Sequence, residues 1–68
     1  MKVIYDPETD TLSIILNDAK IVESDEIRDG VIVDYGAEGK VVSIEILDAS
    51  EHTPEPQGIV YELKKTAA

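Results

Sequence analysis

Short apolar runs bounded by Asp, Gly and Pro set the rhythm of this chain, and Val and Ile dominate them. That pattern predicts strands. Lys2–Tyr5 reads as a first strand, with Val3 and Tyr5 on one face. Asp6–Asp10 follows as a loop, in which Pro7 presets φ at the second turn position and Asp6 closes an Asx-type bond. Thr11–Leu16 is a second strand, with Leu12, Ile14 and Leu16 alternating with Ser13 and Ile15. Asn17–Lys20 reads as a turn. Ile21–Ile27 alternates poorly around Glu23-Ser24-Asp25-Glu26, which suits an edge strand, where charge discourages edge-to-edge pairing.

Arg28-Asp29-Gly30 reads as a turn, Val31–Tyr35 as a fourth strand and Gly36–Gly39 as a hairpin loop. Lys40–Leu47 is the fifth and cleanest strand, with Val42, Ile44 and Ile46 opposite Val41, Ser43, Glu45 and Leu47. Residues 48–52 read as one helical turn capped by Asp48, and Pro54 and Pro56 stop anything longer. Gly58–Lys64 alternates again. It reads as a sixth strand, paired within the chain or across to a second subunit. The expected fold is therefore mainly β, an antiparallel meander of hairpins with five to six short strands. Residues 1–64 form a single small domain and 65–68 a frayed tail.

Size changes this picture. Chains under roughly 70–80 residues seldom obtain more than about 3–5 kcal/mol from one core without a metal, a disulfide or a partner. This one has 68 residues and no cysteine, so it has no disulfide, thiol nucleophile or zinc ribbon. No long amphipathic helix is evident to cover one sheet. Both arguments point to sheet packing completed by a dimer partner.

Charge narrows the partners. Fifteen acidic residues against six basic give a net charge of −9, which disfavours nucleic acid as a partner. With 43% hydrophobic residues the chain is no disordered acidic tail. Apolar runs such as Ile14-Ile15-Leu16 stop at three residues, so no segment reads as a membrane span or secretion signal.

The candidate chemistry is sparse. Asp6, Glu8 and Asp10 have the opening spacing of a calcium loop, but Thr11 stands where that loop needs Gly and Asn17 where it needs Glu. Turn chemistry explains them better. His52, the one histidine, sits in a polar loop with no evident orienting partner. No phosphate-cradling glycine pattern occurs. Close pairs among so many carboxylates are expected by chance, and no pocket is implied to hold a substrate between them. We therefore expect no enzyme, no cofactor and no metal. Tyr5, Tyr35 and Tyr61 read as core-rim residues. The most pointed cluster is Glu23, Asp25, Glu26 and Asp29, a negative patch that either protects a strand edge or docks a basic protein.

Two stretches carry a family resemblance. One is Tyr5-Asp6-Pro7-Glu8-Thr9-Asp10-Thr11-Leu12-Ser13-Ile14-Ile15-Leu16. The other, more specific, joins Gly30-Val31-Ile32-Val33-Asp34-Tyr35 to the run from Gly39 to Ser50, which ends Ile44-Glu45-Ile46-Leu47-Asp48-Ala49-Ser50. Over roughly residues 1–50 they resemble the small prokaryotic family called domain of unknown function 2283. The resemblance implies a short cytoplasmic protein, mainly β, with no known active site. Some members of that family are encoded beside small ribonuclease-like toxins. This implies an antitoxin-like role against a basic partner, without the basic arm an autorepressor needs. The expected function is thus a non-enzymatic protein-interaction module, antitoxin-like in its most specific form. The alternatives are a structural homodimer and, more remotely, a small metal-binding protein.

Overall fold

The computed structural model describes residues 1–66. Five strands form one antiparallel sheet: β1 (Lys2–Asp6), β2 (Thr11–Ile15), β3 (Glu23–Arg28), β4 (Val31–Tyr35) and β5 (Val41–Ile46). Their spatial order is β1-β2-β5-β4-β3. All four pairings are antiparallel, but the order is not that of a strict meander. The last strand in sequence is central in space, and β2 to β5 follow Greek-key connectivity. β5 takes that place because its alternating β-branched residues suit a strand paired on both sides.

Three of the hairpin turns follow from local chemistry. Asp6 Oδ1 accepts the Glu8 N–H at 3.0 Å, and Asp10 closes the β1–β2 loop at φ 53°. Gly30 turns β3 into β4 at φ 80°, with its N–H donated to the Glu26 carboxylate at 2.9 Å. Gly39, at φ 77°, closes the β4–β5 loop, where Gly36 N–H donates to Lys40 O at 2.8 Å. Residues 16–22 carry the chain past the ends of β5 and β4 to the far edge. They are tied at both ends by Leu16 N–H to Val42 O and Val22 N–H to Tyr35 O.

Two expectations are narrowed. Within the chain residues 58–64 form no strand, and no backbone hydrogen bond ties them to their own sheet among the described residues, which leaves pairing across to a second subunit. The helical turn exists only as a 3-10 turn (Ala49–Glu51). Asp48 does not cap it, because its backbone is left-handed (φ 51°) and its side chain makes no cap bond. Of the expected frayed tail, residues 67–68 lie outside the described residues.

Register sorts the side chains into two faces. Val3, Tyr5, Leu12, Ile14, Ile44, Ile46, Val31 and Val33 share one, which is almost wholly apolar. Ile4, Ser13, Ile15, Ser43, Glu45, Ile32 and Asp34 share the other, which is mixed. Only Val33, Val42 and Ala49 are buried hydrophobics among the described residues, and no large side chain is fully buried. The exposed surface is 5605 Å². A compact monomer of this size exposes roughly 4,200 Å². The radius of gyration is 13.8 Å, against about 11 Å for a compact chain of this length. The sheet is thus a single layer without a cover, and burial across subunits is not seen in this single chain.

Ala49 is fully buried, at 0% exposure. Ala49→Leu is expected to destabilise the fold by roughly 1–3 kcal/mol through overpacking, measured as a lower urea midpoint with unchanged slope. An unshifted midpoint would show that the turn after β5 is not packed in solution.

Candidate functional site

Strand β3 lies at one edge of the sheet, and every one of its residues is exposed. It carries Glu23, Asp25 and Glu26, with Asp29 in the turn beyond it. The pairing register divides them. Asp25 stands opposite Val33 and so on the apolar face; Glu26 stands opposite Ile32 and so on the mixed face. Glu23 and Asp25 flank an open depression shared with Val22, Tyr35 and the Gly36–Gly39 loop. Glu26 and Asp29 border a different one, of about 370 Å³, together with Asp48, Glu51 and His52. The four predicted partner-binding residues therefore form two acidic patches at opposite ends of one strand. The Glu26 carboxylate is already engaged by Gly30, which leaves Glu23 and Asp25 as the freer pair.

Two carboxylate clusters escaped sequence reasoning. The first is on the mixed face. Asp34 is 2% exposed and accepts hydrogen bonds from Ser24 Oγ at 2.6 Å and Ser43 Oγ at 2.7 Å. Burial opposes its charge, but hydrogen bonds from Ser24, Ser43 and Glu45 outweigh it and hold the carboxyl below its ordinary range. Glu45 is pushed the other way, first by its hydrogen bond to Asp34, then by burial and by the like charge. Of the two, Glu45 is therefore the one that takes up a proton first as pH falls. A buried carboxylate in the middle of a sheet is satisfied by two hydroxyls, and no buried polar side-chain atom lacks a partner among the described residues.

The second cluster is a clasp. Asp10 accepts the Tyr5 hydroxyl at 2.8 Å, the Ser50 hydroxyl at 2.6 Å and the Ser50 N–H at 3.2 Å. Ala49 N–H adds a bond to Asp10 O at 2.9 Å. The clasp joins the first hairpin to the turn after β5. Hydrogen bonds from Ser50 and Tyr5 hold the Asp10 carboxyl below its ordinary range, and Asp10 raises the Tyr5 hydroxyl in return. Asp6 and Asp10 both act as hydrogen-bond acceptors, one within the turn and one in the clasp. Among the described residues no group of three or more His, Cys, Asp or Glu is placed to hold a metal.

These clusters contain the residues of the two resembling stretches: Tyr5 and Asp10 from the first, and Asp34, Ser43, Glu45, Ala49 and Ser50 from the second. The family model for a protein of unknown function (DUF2283) matches residues 2–50. The chain belongs to the DUF2283 family. No curated protein and no solved structure matches it. The DUF2283 segment ends at Ser50, just where the clasp closes, so the tail beyond it lies outside the family match. No helix among the described residues of this DUF2283 chain is long and apolar enough to cross a membrane.

The opposite shifts of Asp34 and Glu45 have a pH consequence. The raised Glu45 value favours the fold fully below the ordinary glutamate value of 4.5, and this contribution is lost as pH rises through the raised value. The lowered Asp34 value favours the fold above its ordinary 3.8, and this contribution is lost as pH falls through the depressed value. The pair thus favours folding most between those two titrations. Glu45→Gln keeps a neutral donor on Asp34 at every pH. We expect it to raise the melting temperature at pH 7, with the gain shrinking towards pH 4. A lower melting temperature at pH 7 would contradict the upward shift of Glu45.

Proposed function

We propose that this chain is a non-enzymatic protein-interaction module that is completed by contact with other protein. One observation carries the reading: the chain leaves 5605 Å² exposed around a core of three buried hydrophobics. The surplus over a compact monomer is about 1,400 Å², enough for one side of a specific interface. The largely apolar face is the natural contact surface.

A basic protein suits it best. The net charge is −9, and Glu23 and Asp25 stand on a fully exposed edge beside the apolar face. Such an arrangement steers a cationic partner into place while apolar contact holds it. An antitoxin-like inhibitor of a small basic ribonuclease, acting in the cytoplasm, is the specific form of this reading. Glu23 and Asp25 guide the encounter; Glu26 and Asp29, at the other end of the strand, extend the field.

The test is kinetic. A basic protein recovered with the chain as bait is titrated against the wild type and a Glu23→Lys, Asp25→Lys double variant. At low salt the variant is expected to associate at least ten times more slowly, and added salt should slow the wild type more than the variant. Equal rates with equal salt dependence would remove the acidic edge from the function.

A further inference from the structure

The two sheet edges are managed in opposite ways. At β3 the edge is charged, and its register shifts between Glu26 and Arg28, both of which discourage a further strand. At β1 the edge has neither device. Lys2 to Asp6 pair with β2 in unbroken register, and Val3 and Ile4 are exposed. Only the two end residues are charged. Among the described residues, no backbone hydrogen bond from outside the sheet reaches this strand. A flat apolar edge of this kind accepts a strand.

A strand without a sheet lies in the same chain. Residues 59–63 alternate like a strand, yet Val60 is 84% and Leu63 86% exposed. Ile59 and Tyr61 are exposed as well. A turn bond from Gly58 N–H to Glu55 O precedes the segment. Pro54 and Pro56 stiffen the connection, and buried Pro56 anchors it just before the exposed segment begins.

The two fit in one register. Laid antiparallel with Tyr61 opposite Val3, the segment sets Tyr5 against Ile59, Ile4 against Val60, Lys2 against Glu62 and Asp6 against Gly58. Each pair is apolar with apolar, or positive with negative, or charged with glycine. Ile59 and Tyr61 then extend the apolar face. A slip of two residues one way sets Lys2 against Lys64. The other way it sets Ile4 against Gly58 and Lys2 against Val60. A slip of one residue moves Tyr61 to the mixed face. A parallel arrangement that keeps Ile4 beside Val60 sets Asp6 against Glu62.

We propose that the β1 edge is a docking site for residues 58–63 of a second copy of this chain, with the exchange reciprocal about a two-fold axis. The second copy is the occupant because the segment leaves its own β1 unpaired and projects from its own sheet. The exposed surface exceeds that of a compact monomer by an amount suited to a stable dimer. Both β3 edges remain at the outer ends of the assembly. The exchange shares only the uncovered surface with the partner reading above.

The chain has no cysteine, so cross-linking is clean. Val3→Cys and Tyr61→Cys chains, refolded together and oxidised, are expected to give disulfide-linked heterodimers. Light scattering should give twice the chain mass for the wild type and one chain mass after truncation at Gln57. Three results would overturn the exchange. A monomeric wild type is one. A disulfide closed within single Val3→Cys, Tyr61→Cys double-variant chains is another, since it places the segment on its own sheet. The third is a dimer that survives truncation and cross-links through Ile4→Cys alone, which would mean that two β1 strands pair directly. A monomeric wild type that still loses basic-partner association through Glu23→Lys and Asp25→Lys would sink the exchange and leave the partner reading standing.

Discussion

A single layer of sheet has two faces to cover, and the described residues cover neither. Five strands of five or six residues use most of the segment up to Ile46. Past Ile46, the described residues form a 3-10 turn, a second turn closed by Gly58 and a stretch without regular structure, none of which makes a second layer. Hydrophobic burial is therefore confined to Val33 and Val42 in the sheet and to Ala49 and Pro56 after it. The uncovered face and the bare β1 edge go with this single layer.

With so small a core, polar contacts take on work that packing does elsewhere. Asp34 binds hydroxyls from the strands on either side of it, Ser24 on β3 and Ser43 on β5. A slip of one residue in either pairing would turn its partner to the opposite face and leave a buried charge unsatisfied. The Asp34 cluster thus fixes alignment across β3, β4 and β5. The Asp10 clasp does the same for the far side, tying the β1–β2 loop to the chain leaving β5.

Much of the sheet was legible in the sequence because its signals are local. Alternation at Val31–Tyr35 and Val41–Ile46, and turns at Asp6–Asp10 and Gly30, depend on neighbours within a few residues. The position of β5 between β2 and β4 was not legible, since strand order is set by long-range pairing. The Gly58–Lys64 stretch has the periodicity of a strand but no pairing partner in its own sheet. Periodicity reports which face a strand would present, not whether an edge is there to receive it. Of the candidate site, the acidic character of the β3 edge was readable. Its division into two patches was not, because that depends on which face each carboxylate takes. The Asp34 and Asp10 clusters join residues 9, 10 and 40 positions apart. A hint was present: Asp34 interrupts an apolar strand, and Ser43 and Glu45 share one face of the cleanest strand in the chain.

The Greek-key order also bears on how the chain is made. β5 is the last of these five strands to be made, yet in the sheet it stands between the β1–β2 and β3–β4 hairpins. Until then β2 and β4 each present an unpaired inner edge, the kind of edge that recruits foreign strands. The clasp between Asp10 and Ser50 can close only after that, across 40 residues. Synthesis therefore passes through a stage in which two sticky hairpins wait on one short segment.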